Sequence, residues 1–178
     1  GAGLASMVAN LTANKYESEE KFNKVVALAE NAQNIKDNLV KAIDEDTDAF
    51  NEYIAAKRMP QKTSQQQKER NDAIQTGLKK AIQIPLHTAQ LSLEGLKLAK
   101  EIAEIGNLAS VSDAGVGAQI ALTGVIGGVL NVLINLGEIA DETYKEQMKS
   151  RCVDLESQSK ELAERTLKIV KDRIKQMW

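Results

Sequence analysis

Apolar residues recur along nearly the whole chain at spacings of three and four, the period of a helix lying on a core, and no stretch alternates strictly as a half-buried strand would. Punctuation divides this pattern into five helical segments. The first runs from about Leu4 to Asn14. Ser18, followed by Glu19 and Glu20, opens the second, which reaches about Arg58 before Pro60. Thr63 or Ser64 starts the third after a polar linker; it extends towards Ile105, with Gly106 and Asn107 as a stop signal and Pro85 predicting a kink near Gln83 or Ile84. Ser112 or Asp113 opens the fourth, ending near Leu136 and Gly137. Asp141 then caps a charged amphipathic helix that reaches the C-terminus. The predicted fold is all-α: one domain over residues 1–178, a bundle of about five helices.

The fourth segment, "AGVGAQIALTGVIGGVLNVLINL", carries no charge and is long enough to span a bilayer. It also contains Gln119, Thr123, Asn131, Asn135 and several glycines. The other helices are amphipathic and need something apolar to cover, so the pattern predicts a long buried central helix and no membrane span. Gly115, Gly124, Gly127 and Gly128 are expected to let its neighbours approach closely. The second helix, about 60 Å at 1.5 Å per residue, is too long for one small globule to cover, which predicts a homodimer.

The stretch "KAIDEDTDAF" places four acids, Asp44, Glu45, Asp46 and Asp48, within this apolar-periodic second helix. Turning about 100° per residue from Asp46 puts Leu28, Ile35, Leu39, Ala42, Ile43, Phe50 and Tyr53 within about 60° of it, and the other three acids at least about 100° away. Asp46 is therefore expected to face inward. An inward carboxylate is costly unless paired, hydrogen-bonded or protonated. It is either a structural acid tied to a neighbouring helix or a general acid/base whose neutral form burial favours. Asn131 and Asn135, four apart, share one face of the apolar fourth helix and form a polar spot. They either fix helix register or belong to a site.

Composition narrows the choice of chemistry. The formal net charge of −2 on 178 residues offers no field for nucleic acid or an anionic membrane. The lone Cys152 excludes an internal disulfide or a cysteine metal cluster, and the lone His87 excludes a multi-histidine site. No phosphate-cradling glycine loop, metal motif or dinucleotide fingerprint occurs. Without a basic-then-apolar leader, a cytoplasmic protein is expected. Lys15, Lys57 and Arg58 lie at the ends of the early helices and are candidates for holding an anion, although solvated surface charge is the ordinary reading.

The ordered stretches "LASMVANLT", "AIDEDTDAF", "IPLHTAQLSLE", "GNLASVSDAGVGAQ" and "NVLINLGEIADETY" together resemble the cyclodeaminase domain of formiminotransferase-cyclodeaminase, a family with stand-alone bacterial cyclodeaminases and methenyltetrahydrofolate cyclohydrolases. The resemblance implies an all-helical homodimer acting on tetrahydrofolate one-carbon units, with the folate as substrate, no metal, no further cofactor and a possible formiminotransferase partner. It implies that Asp46, the second acid of the D-x-D pair, is catalytic, and that Ser112, Asp113, Asn131 and Asn135 belong to the pocket. Lys15 or Arg58 is expected to meet the substrate's glutamate tail. A "PGGGS"-type segment precedes the first core helix in the family, and this sequence begins after the corresponding point. Three functions follow as expectations: cyclisation of 5-formimino-tetrahydrofolate with release of ammonia, interconversion of the methenyl and 10-formyl forms, or a non-enzymatic helical interaction protein.

Overall fold

A computed structural model describes residues 1–13 and 18–178. The described chain is helical, with no strand: α1 (Ala2–Ala13), α2 (Glu19–Lys57), α3 (Ser64–Ile105), α4 (Val111–Asn135) and α5 (Glu142–Lys175), with 3-10 turns at Leu108–Ser110 and Leu136–Glu138 flanking α4. The caps explain the boundaries. Thr63 accepts from the Gln66 backbone while the Gln66 side chain accepts from the Thr63 backbone, a reciprocal box that satisfies amides the first turn of α3 leaves free. Asp141 accepts from Tyr144 N at the start of α5. Ser18 holds the N-cap position of α2 without a side-chain cap bond.

α3 runs through Pro85 as one helix and packs most extensively against α4. Small residues permit that approach. A Cβ added to Gly128 would sit 2.6 Å from the Pro85 carbonyl oxygen and 2.9 Å from Ala89 Cβ, and one added to Gly124 would meet Ser92 Oγ at 2.5 Å. Gly115 serves α5 in the same way, against Val170. Gly127 departs from the expected pattern: nothing lies within 4 Å of the position, because it is on the open side of the helix.

α4 is the core helix, and its two faces have different fates. Ala118, Ala121, Val125, Val129 and Val132 are buried with Ile82, Leu86, Leu93 and Leu96 of α3 in the main cluster, while Ala114 is buried in a second cluster with Ile102 and Val170. Turned away from them, Val116, Ile120, Leu130 and Ile134 form an exposed apolar stripe, with Thr123 and Gly127 between them. The 31-residue segment Leu108–Glu138 is long and apolar enough to cross a membrane by length and composition, and its inner face is packed into the bundle.

In α2, the interior seam of the second half is Ala42, Ala49 and Ala56, spaced by seven, with Tyr53 half-buried beside them. Small seam residues bring α3 close: a Cβ on Gly77 would lie 3.1 Å from Tyr53 Cα. This seam lies about 40–80° from Asp46 on the helical projection. Ile43 and Phe50, counted as interior by periodicity, are 65% and 59% exposed. The apolar stripe of α2 is thus two surfaces side by side, one sealed against α3 and one open.

Candidate functional site

Two clefts meet between α2, α3 and α4, and Asp46 and Asn131 line both. The first, about 430 Å³, is walled by Leu39, Ala42 and Ile43 of α2, Ile84, Pro85 and Thr88 of α3, and the glycine face Gly124, Gly127, Gly128 of α4. The second, about 340 Å³, continues along α2 past Phe50 and Tyr53 and is closed by Leu78, Ala81, Ile134, Asn135 and Glu138. The first has a flat floor without side chains at its glycines; the second ends in polar groups.

Asp46 is solvent-exposed in the single chain, so this chain alone does not supply the inward burial expected from periodicity. The cause is the divided stripe: Asp46 stands at the boundary between the sealed alanine seam and the open edge carrying Ile43 and Phe50. It is still unlike its neighbours. Asp44, Glu45 and Asp48 line neither cleft, and Glu45 pairs with Lys41 at 3.4 Å.

The amides are placed by a defect in α3. Proline has no N–H, so Pro85 leaves the carbonyl of Ala81, four residues back, without its helical donor. Asn135 Nδ2 donates to that oxygen at 3.2 Å and to Asn131 Oδ1 at 3.3 Å. The carbonyl demands a donor, which fixes the orientation of the Asn135 amide, and the second bond orients Asn131. Neither the Asn131 amino group nor the Asn135 carbonyl oxygen bonds another described residue, so each keeps hydrogen-bonding capacity beside the cleft. The expected pair is therefore present, at the mouth of the bundle: Asn131 is exposed and Asn135 half-buried.

A third polar group closes the second cleft. Tyr53 donates its hydroxyl to Glu138 Oε1 at 3.0 Å, and Lys57 Nζ donates to Glu138 Oε2 at 2.8 Å while lying 4.8 Å from the Tyr53 ring centroid. Hydrogen bonds from Lys57 and then Tyr53 hold the Glu138 carboxyl below its ordinary value, and the bond to Glu138 holds Lys57 above its own. Sequence reasoning missed Tyr53 and Glu138 as site groups. Tyr53 read as one more apolar position of α2, and the contact joins residues 85 apart.

The other predicted positions lie elsewhere. Ser112 and Asp113 are in the first turn of α4, about 28 Å along the helix from Asn131 at 1.5 Å per residue, and line neither cleft. Arg58 is the exposed C-cap of α2 and lines neither cleft. Lys15 lies outside the described residues. His87 is exposed on α3 and lines neither cleft, and Cys152 is buried with its thiol pushed up by desolvation. Among the described residues no group of three or more His, Cys, Asp or Glu could hold a metal.

The fold and the cleft define an all-helical protein with the Asp46 and Glu138 carboxylates and two oriented amides around an elongated groove. The profile of the formiminotransferase-cyclodeaminase family matches residues 1–154, and the chain belongs to that family. It is 32% identical over 174 residues to the methenyltetrahydrofolate cyclohydrolase of Methylorubrum extorquens, covering 98% of this chain and 84% of that protein. It is 34% identical over 160 residues to the formimidoyltransferase-cyclodeaminase of Sus scrofa, covering 90% of this chain and 30% of that longer protein. The crystal structure of formiminotetrahydrofolate cyclodeaminase from Thermotoga maritima superposes with a TM-score of 0.84 at 25% identity, covering 96% of this chain and 81% of that one.

Proposed function

We propose that this chain is a folate one-carbon enzyme that closes 5-formimino-tetrahydrofolate to 5,10-methenyl-tetrahydrofolate with release of ammonia, Asp46 acting as the proton relay. The observation that carries the reading is the position of Asp46: of the four clustered acids it alone lines the clefts, beside oriented amides. Family membership supports a folate substrate, since the Methylorubrum and Thermotoga relatives are named for tetrahydrofolate reactions.

The chemistry asks for one shuttling carboxyl. N10 of the protonated formimino substrate attacks the formimino carbon and becomes cationic. Asp46 accepts the N10 proton as the new C–N bond forms. It returns that proton to the amino group on the same carbon, which departs as ammonia and leaves the methenyl cation. Charge and protons balance, and the carboxylate is regenerated. Asn131 and Asn135 orient the substrate, and the groove holds the folded folate near its attack geometry. The folate is the only organic group the step employs.

The proposed active form is a homodimer. Val40, Ile43 and Phe50 of α2 and Val116, Ile120, Leu130 and Ile134 of α4 are exposed on the helices that line the cleft, and Ile43, Phe50 and Ile134 stand on its rim. A second copy over this surface shields the apolar stripe and closes Asp46 off from bulk water. A formiminotransferase partner delivering substrate, and action in the cytoplasm, belong to the same reading.

The match along most of the Methylorubrum cyclohydrolase supports a second reading, hydration of the methenyl form to 10-formyl-tetrahydrofolate on the same groove. Assaying both substrates side by side separates them. Ammonia from the formimino substrate is expected; hydration of methenyl-tetrahydrofolate without any ammonia release selects the cyclohydrolase, and turnover of neither rejects both.

A further inference from the structure

The second cleft ends on a carboxylate that is already bound. Tyr53 and Lys57, one turn apart on α2, offer a hydroxyl and an ammonium to the two oxygens of one carboxyl group, at 3.0 and 2.8 Å. That carboxyl belongs to Glu138. Both sides of the contact are fixed from behind. Arg70 donates twice to the carbonyl of Lys57, at 3.3 and 3.1 Å, and Gln75 donates to the carbonyl of Glu138 at 2.9 Å while accepting from Ala140 N at 2.8 Å. The donors and the turn carrying Glu138 are thus held on α3 independently of the carboxylate they share.

The contact is also exchangeable. The Lys57 and Glu138 side chains are 38% and 58% exposed, and a pair open to water contributes little net stability. Replacing Glu138 by another carboxylate on the same donors is therefore nearly neutral for the protein. The distance matters as well. Tyr53 lies seven residues beyond Asp46, about 10 Å along α2. That is the scale from the reacting carbon of a folate, across the p-aminobenzoyl ring and its amide, to the glutamate carboxylates. The amine edge of the pterin lies much nearer the reacting carbon.

We propose that Lys57 and Tyr53 form the subsite for the glutamate carboxylate of the folate substrate, and that Glu138 is an internal placeholder that occupies their donors until the substrate arrives. The assignment rests on the folate reading and replaces Arg58 as the expected tail contact. It also gives the groove a direction: tail towards Glu138, pterin towards the glycine floor at Gly124, Gly127 and Gly128.

The test compares a reduced folate with the corresponding pteroate, which lacks the glutamate. Lys57→Met and Tyr53→Phe are expected to raise KM for the folate about tenfold or less each, as loss of one hydrogen bond to a charged group does near the surface, with kcat and the KM for the pteroate unchanged. Glu138→Gln, which removes the competing charge, is expected to lower KM for the folate. Equal KM changes for both compounds, or no change with Lys57→Met, overturn the subsite. A rise in KM with Glu138→Gln also overturns it, because Glu138 then contacts the substrate itself. Binding of N-(p-aminobenzoyl)glutamate, followed by saturation-transfer NMR on the full chain, needs no turnover. Its binding to wild type and loss in Lys57→Met support the subsite even if the protein turns over no folate, an outcome that rejects the proposed reaction alone; failure of wild type to bind it overturns the subsite.

Discussion

Asn135 donates its side-chain amide to the carbonyl of Ala81 at 3.2 Å, filling the place of the backbone donor that Pro85 lacks. One residue thereby repairs α3 and sets the polar wall of the cleft. Asn135→Ala is expected to cost about 1–2 kcal/mol, because the half-buried carbonyl loses its partner. Asn135→Asp offers no donor when ionised and should not restore the loss. Equal denaturation midpoints for Asn135→Ala and wild type count against the repair.

Asp46→Asn keeps the shape of the side chain and removes its ionisable carboxyl, the proposed proton relay. Turnover of the preferred folate is expected to fall at least about a hundredfold, in line with loss of a positioned acid/base. Asp44→Asn, one residue removed from the first cleft's wall at Ile43, is the matched control and should keep most activity. Comparable losses from both substitutions reject the assignment.

The open apolar edge gives an assembly prediction. Ile134 is 79% exposed in the single chain, yet it sits on the cleft rim. In sedimentation velocity wild type is expected to run as a dimer and Ile134→Glu as a monomer with unchanged helical circular dichroism; a monomeric wild type rejects the assembly. An unchanged dimer shows that copies do not associate through this surface.

Gly128 sets the spacing of α3 and α4. With 2.6 Å between an added Cβ and the Pro85 oxygen, Gly128→Ala forces the two helix backbones apart and should destabilise the protein by about 1–3 kcal/mol. Gly127→Ala, where the added atom meets open space, should be neutral or slightly stabilising through its better helix propensity. Melting both variants decides the matter: equal losses would show that crowding at Pro85 is not the cause.

Burial pushes the Cys152 thiol above its ordinary value. The native state therefore favours the protonated thiol, and the stability linked to it is present below the ordinary thiol range and fades as the pH rises through the elevated native value. Native protein should resist thiol reagents at neutral pH and react fully once unfolded. Rapid modification of folded protein contradicts this.

Helix positions were legible because caps and breakers act locally: Thr63, Asp141, Gly106 and Pro60 stop or start segments by their own backbone chemistry, whereas Pro85 lies inside α3. That Asp46 and not its three acidic neighbours lines the clefts was also legible, since angular position is a local property. Its degree of exposure was not. Periodicity marks an apolar face without saying whether one partner or two cover it, and Ile43 and Phe50 look the same in either case. The Tyr53–Glu138 contact and the repair of Ala81 were invisible for a different reason, because each joins positions brought together only by the packing of α2 and α4 on α3. Ser112 and Asp113 carried a family likeness but no local signal that they lie at the far end of α4 from both clefts.

The rim of the groove is shared with the unpaired side of α4. If two copies must meet for the cleft to close, catalytic output per molecule becomes a function of concentration: simple dilution acts as an inhibitor, and a peptide imitating the Val116–Ile134 stripe silences the protein without entering its groove.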